Sequence, residues 1–351
     1  MPIQAPGLSL CAMAAPTYIR PMLVGREFQK SEVNGTRGFD AIDGCAFLVI
    51  LVTGALIDIA NRLVPADLPP IAPFTFNAPI FLGCALFAYW YGRGLICSAR
   101  KDRPAVWRMV AYFTGIALIY GATETRFEYL AQHMFFLNRL QQVALGIFAP
   151  FLLAFSWPLE SLTRGVPANL QAAARHPFIA KPLRIVAHPA AAAVIMIITT
   201  DVWLIPAVDF ASMLDPLLYD LMNLSMILAG LLFWFAVIDP RPCPPCRHTY
   251  LTRMAAGFLS MFPQIAVAAT IALSTTDFYD FYALCGRLYP SISPQYDQML
   301  GGIIQWIPPG MLNTAVLFIL LRAIHANEEK AAKQMIIPAG STVIEAKWTG
   351  R

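Results

Sequence analysis

Charge is what this chain has least of. Asp, Glu, Lys and Arg make up 13% of its 351 residues while 58% are hydrophobic, against roughly 25% charged in soluble domains. A water-soluble globular protein is excluded and an integral membrane protein is implied. Nor is a cleavable leader expected: Met1 to Lys30 has no basic start followed by an apolar core, and Leu8-Ser9-Leu10-Cys11 lacks the small residue that should precede a lipidated cysteine. The first span is therefore expected to serve as its own insertion signal. The formal net charge of +4 fits basic loops facing the cytoplasm, and no nucleic-acid partner is expected.

Paired cysteines and catalytic constellations are equally sparse. Cys243-Pro244-Pro245-Cys246 has the spacing of a redox or metal pair, with His248 nearby. Its expected cytoplasmic side keeps thiols reduced, and no second pair completes a four-ligand zinc site, so a proline-stiffened connection is the expectation. The other cysteines are scattered and imply no disulfide framework. No nucleophile, base and orienting partner stand at recognisable spacing, which argues against an enzyme. Histidines number five, and no membrane interior contains a facing pair of them, so a bis-imidazole haem is not expected.

What is present is a series of apolar runs. Ala41 to Ala60, Pro79 to Cys97, Val106 to Ala122, Leu140 to Trp157, Val186 to Pro206, Leu218 to Ile238, Met254 to Ser274 and Gly302 to Ile324 read as helices crossing a hydrocarbon core of about 30 Å at about 1.5 Å per residue. The expected fold is all-α, a polytopic transmembrane bundle of about eight spans. Lys and Arg are alternately rich and poor in the connections, which places both termini in the cytoplasm. Seven spans, the other possible count, would break that alternation. The chain then divides into an N-terminal arm (1–40), a membrane domain (41–324) and a C-terminal tail (325–351). Pro263 is expected to kink the seventh span, and Pro308-Pro309 to interrupt the eighth near its outer end.

Polar chemistry concentrates at the mouth of the fourth span. Glu124, Arg126 and Glu128 lead into His133, Asn138, Gln141 and Gln142, and a helix here would put Asn138 and Gln142 on one face at i,i+4. His133 is the sole histidine on the expected outer side; His176, His188, His248 and His325 belong to basic segments. Met134, Met213 and Met299 could supply soft thioethers suited to Cu(I). Asp201 lies within an apolar run, where an ionised aspartate costs about 2.5 to 3.5 kcal/mol. It reads either as part of an ion or proton site or as a packing residue near the interface. Asp297-Gln298 leads through Leu300-Gly301-Gly302 to Trp306, with glycines that permit a tight turn or close helix approach.

Taken in order, Gln132-His133-Met134, Asn138-Arg139-Leu140-Gln141, the stretch from Trp203-Leu204-Ile205-Pro206 to Met213-Leu214-Asp215-Pro216, Gly230-Leu231-Leu232-Phe233-Trp234, and Asp297-Gln298 with Leu300-Gly301-Gly302 and Trp306 resemble the multi-pass CtaG family of bacterial cytochrome c oxidase assembly factors. The resemblance runs from about Asp40 to Ile324. It implies an inner-membrane bundle that helps to assemble a haem-copper oxidase, with oxidase subunits or other assembly factors as partners in the lipid bilayer. It also implies copper handling at the outer face. His133, Met134, Asp201, Asp297 and Met299 are the candidate metal residues, lined by Glu124, Asn138, Gln142, Gln298 and Trp306. This chain is divergent: Asn138 and Gln142, and further on Leu204, Tyr219 and Asn223, stand where members of the family usually carry histidines. A scaffold that has lost copper, or binds it weakly, is the reading that follows. The alternative is a transporter or permease for a small cation or metabolite passing beneath Asp201 and Pro308, against which stands the lack of an internal repeat.

Overall fold

The computed structural model describes residues 38–63, 76–239, 248–284 and 286–334. Most of the expected N-terminal arm, the Cys243–Cys246 pair and most of the tail lie outside them. The described residues form helices and connections with no strand. In chain order the helices are α1 (Ala41–Leu63), α2 (Ala78–Cys97), α3 (Val106–Thr123), α4 (Arg126–Ala131), α5 (Phe135–Ser156), α6 (Leu159–Gly165) and α7 (Ala168–Arg175), then α8 (Pro177–Val186), α9 (Pro189–Val202), α10 (Pro206–Leu214), α11 (Pro216–Val237), α12 (Tyr250–Leu273) and α13 (Pro294–Gln334).

Six of these, α1, α2, α5, α11, α12 and α13, are long and apolar enough to cross a membrane, and α8 with α9 makes a seventh if that bent pair is one span. The protein is a multi-pass membrane protein. The expected third span exists as α3, but its 18 residues include Arg108, two glycines and two threonines, so it falls outside that set. The expected fifth span is shorter than its apolar run. α9 has only 14 residues, and α8 meets it at 80°. No residue of α8 is buried, and its apolar Phe178, Ile179, Leu183 and Ile185 are exposed beside Lys181 and Arg184. That pattern belongs to a helix lying in the membrane interface rather than through it.

Two helix boundaries differ in ways that matter for the site. The fourth span begins at Phe135, not Leu140, because Phe135-Phe136-Leu137 supply an apolar turn ahead of the polar residues; Asn138, Arg139, Gln141 and Gln142 therefore lie inside the membrane helix. Pro308-Pro309 does not interrupt α13, which runs unbroken for 41 residues. The freed backbone groups are tolerated where a neighbouring helix packs alongside, and α12 does so here. Pro263 likewise sits within the continuous α12.

The core is built around α5, which is 72% enclosed, whereas α1 is only 11% enclosed and rides on the outside against α2. α5 contains one π-helical stretch, Ala144–Phe148, and there its backbone meets α11. A Cβ at Gly230 would fall inside the contact shell of the Gly146 carbonyl and 2.8 Å from the Pro150 ring. α5 ends at Trp157, the one described non-glycine residue with positive φ (49°), followed by Pro158, which disfavours a further helical turn before it.

Candidate functional site

The two ends of the bundle differ in charge. One gathers Glu124, Glu128, Asp209, Asp215, Asp277 and Asp297. The other gathers Arg93, Arg164 and Arg253, held respectively by Asp40, by Ser98, and by the carbonyls of Asp239 and His248. α5 starts at the acidic end, and its first turns carry the polar site.

Asp297, on α13, anchors that start. Its Oδ2 accepts from the Phe135 amide at 3.2 Å and its Oδ1 from the Phe136 amide at 2.8 Å. The first amides of a helix have no partner within it, and Met134 at the N-cap position offers no side-chain bond. Asp297 thus caps α5 from another helix, and Arg287 closes the arrangement with an ion pair at 2.8 Å. Beside it, Gln298 stitches down the 274–284 connection: Oε1 accepts from the Phe278 amide at 2.7 Å, and Nε2 donates to the carbonyls of Ile271 and Thr276. The connection folds inward. Tyr279 stacks on Phe135 with centroids 3.9 Å apart and donates to the Leu204 carbonyl.

One turn further in lies a buried ion pair. Arg139 is 1% exposed and Asp209, from α10, 0%; they meet at 3.1 Å. Arg139 also donates to Asn138 Oδ1 and sits over the Phe135 ring, while Tyr282 donates to Asp209 Oδ2 at 3.3 Å. Burial pushes the Asp209 carboxyl above its ordinary range, with Arg139 and Tyr282 pulling the other way. Burial also holds the Tyr282 phenol well above its usual value, so it stays a donor.

Deeper still, α5 and α11 exchange polar bonds. Tyr219 donates to Gln141 Oε1 at 2.5 Å, Gln141 Nε2 donates to the Ala122 carbonyl at 2.7 Å, and Gln142 Nε2 donates to Asn223 Oδ1 at 3.2 Å. Of the positions that the resemblance aligns with histidines, Gln142 and Asn223 thus meet across α5 and α11 as a bonded pair of amides, while Tyr219 bonds the neighbouring Gln141.

The sequence candidates divide accordingly. Asn138 and Gln142 join this interior network, and Asp297 and Gln298 pin the elements around it. Glu124, at the end of α3, is fully buried and accepts from the Asn77 amide at 3.2 Å. His133 is half-buried in the turn before α5, with Nδ1 2.7 Å from the Tyr129 carbonyl and its ring on Tyr129. Met134 is fully enclosed. Asp201 and Met299 are half-buried on α9 and α13, and Trp306 is half-buried against a groove shared with Met261 and Gly310. Among the described residues, no group of three or more His, Cys, Asp and Glu side chains is disposed to hold a metal ion. Both oxygens of Asp297 are already engaged. Among the described residues, His133, Asp201 and Asp297 do not form such a group.

Arg139 and Asp209 fall just outside the apolar runs Leu140 to Trp157 and Val186 to Pro206, so the runs alone do not reveal them as a buried pair. The three apolar residues ahead of Asn138 were the available signal, since they carry the helix back past Arg139.

These features define a polytopic helical membrane protein whose most enclosed helix is locked by buried polar bonds. The family described as cytochrome c oxidase caa3 assembly factor (Caa3_CtaG) matches residues 88–326, and the chain belongs to it. α1 and the first half of α2 lie outside the matched region. No curated protein and no solved structure matches the chain.

Proposed function

We propose that this protein assists assembly of a haem-copper cytochrome c oxidase of the caa3 type as a metal-free scaffold. Its acidic end would face outward from a bacterial inner membrane, its apolar flanks holding oxidase subunits or other assembly factors. Family membership supports the assembly role. One observation carries the scaffold reading: at the aligned histidine positions, Gln142 bonds Asn223 and the neighbouring Gln141 bonds Tyr219, so the side chains are committed to the fold. Amides are far weaker ligands for copper than imidazole or thioether.

The test pairs cells with purified protein. In cells that depend on this chain, its deletion should lower assembled oxidase, read from the reduced haem spectrum, and added copper should not restore it. His133→Ala should support assembly, whereas Arg139→Met should not. The purified protein, reduced and titrated with Cu(I), should bind none above background. About one Cu(I) per chain, lost in His133→Ala, would overturn the reading in favour of a copper carrier.

A further inference from the structure

The basic end of the bundle carries α8, a helix with no buried residue. The break between α8 and α9 falls at His188-Pro189, since a residue before proline is disfavoured in helical backbone. Each helix restarts on a histidine cap: His176 Nδ1 accepts from the Phe178 amide at 3.4 Å, and His188 Nδ1 from the Ala190 amide at 3.2 Å. α9 packs on α11 and α12, both long enough to cross a membrane. The His188 ring meets the His248 ring, just ahead of α12, with centroids 4.5 Å apart. The α8–α9 junction is therefore at the basic end, and α8 leaves it at 80° to α9. At about 100° per residue, Phe178, Ile179, Pro182, Leu183, Ile185 and Val186 share one arc of about 160°, and Lys181 and Arg184 point the other way. Phe178 is 85% exposed and Ile185 71%. From Pro158 to Thr200 the sole acidic residue is Glu160, against Arg164, Arg175, Lys181 and Arg184.

We propose that α8 binds anionic phospholipid at the basic face of the membrane domain, its apolar arc among the upper acyl carbons and Lys181 and Arg184 on the lipid phosphates. Three observations select this occupant. First, α8 runs through a short break into α9, which packs among membrane helices, so the bilayer already reaches the arc. Second, Pro182 has no N–H to donate, which leaves the Phe178 carbonyl without its ladder bond. That is tolerable where water and head groups reach and costly in hydrocarbon, and it sets the depth of α8 at the head groups. Third, Arg175, Lys181 and Arg184 are all exposed, and exposed bases beside a membrane select anionic heads. A zwitterionic head brings its own ammonium against them; an anionic head does not. Lipid held here also fixes the start of α9, so its binding stabilises the fold. None of this depends on the assembly role.

The full-length protein in a neutral detergent, titrated with phosphatidylglycerol or with phosphatidylcholine of the same acyl chains, tests this. Bound lipid is counted by native mass spectrometry, and the melting temperature is the second readout. Phosphatidylglycerol should bind more tightly and raise the melting temperature more than phosphatidylcholine, and sodium phosphate at matched ionic strength should not displace it. The double variant Lys181→Gln, Arg184→Gln should lose more than about ten-fold in affinity for phosphatidylglycerol, each base near an anionic surface contributing about five-fold. Its affinity for phosphatidylcholine should not change. Both side chains are exposed, so the variant should melt with the wild type before lipid is added. The control, Arg100→Gln, Lys101→Gln, removes the same charge from the exposed connection after α2 at the same end, and should lose much less. Undiminished phosphatidylglycerol binding in the α8 variant, an equal loss in the control, or displacement by sodium phosphate would overturn the assignment.

Discussion

At the scale of single residues, the acidic end stores two kinds of unfavourable burial, and each has a measurable signature. Glu124 has an ordinary value of 4.5 and is raised to about 8 by burial; the groups facing it are Asp220, Cys84 and Tyr120. Between those limits the unfolded chain releases the proton while the folded one retains it, so stability falls as pH rises from about 4.5 to about 8 and is level above. Wild-type melting in detergent should therefore drop across that window. Glu124→Gln should flatten the dependence and melt higher than wild type by a few degrees at pH 8; parallel curves for the two proteins would contradict the burial. Arg139 and Asp209 show the other kind, a charge tolerated only because its partner is present. Arg139→Met should cost about 3 to 5 kcal/mol by stranding Asp209. The double variant Arg139→Met, Asp209→Leu should recover much of it, and equal melting temperatures for the single and double variants would show that the pair is not coupled.

At the scale of elements, the decisive contacts are caps and crossings that no single segment encodes. Asp297 replaces the missing N-cap of α5 from 162 residues away in sequence. In Asp297→Ala, amide hydrogen exchange at Phe135 and Phe136 should accelerate, and stability should fall by about 1 to 2 kcal/mol. Protection unchanged at both amides would remove the cap from the account. The helices were legible because an apolar run of membrane length needs no partner to declare itself, and α1, α2 and α11 fall within three residues of the runs that announced them. The start of α5 was not legible, since Arg139 reads as a loop charge until Asp209 is known to face it. The continuity of α13 was hidden for a similar reason: two adjacent prolines predict a break, and packing against α12 overrides that local preference. Of the site, Asn138 and Gln142 could be seen from their i,i+4 spacing. The partner of Gln142 could not, because Asn223 reaches it only through the α5–α11 crossing.

At the scale of the whole molecule, the crossing of α5 and α11 holds the polar network in register, and it depends on backbone contact. Gly146 lies in the π-helical stretch of α5, and the extra residue of such a turn shifts the side chains that follow relative to those before it. On α11, Gly230 presses against that stretch, while Tyr219 and Asn223, two to three turns earlier, reach Gln141 and Gln142. A side chain at Gly230 must push the helices apart, because the atom it meets is a backbone carbonyl that cannot rotate away. Gly230→Ala should therefore loosen bonds well removed from itself: accelerated exchange near Gln141 and Asn223, a lower melting temperature, and less assembled oxidase in cells, with Gly146 and Pro150 as the neighbours that must move. Gly121→Ala is the matched control, since a Cβ at Gly121 on α3 meets nothing within 4 Å. If Gly230→Ala and Gly121→Ala behaved alike in melting and in oxidase content, the network would not depend on the crossing. If only Gly230→Ala lost both, the close contact of two helices would be what keeps the buried polar bonds, and with them the scaffold, in place.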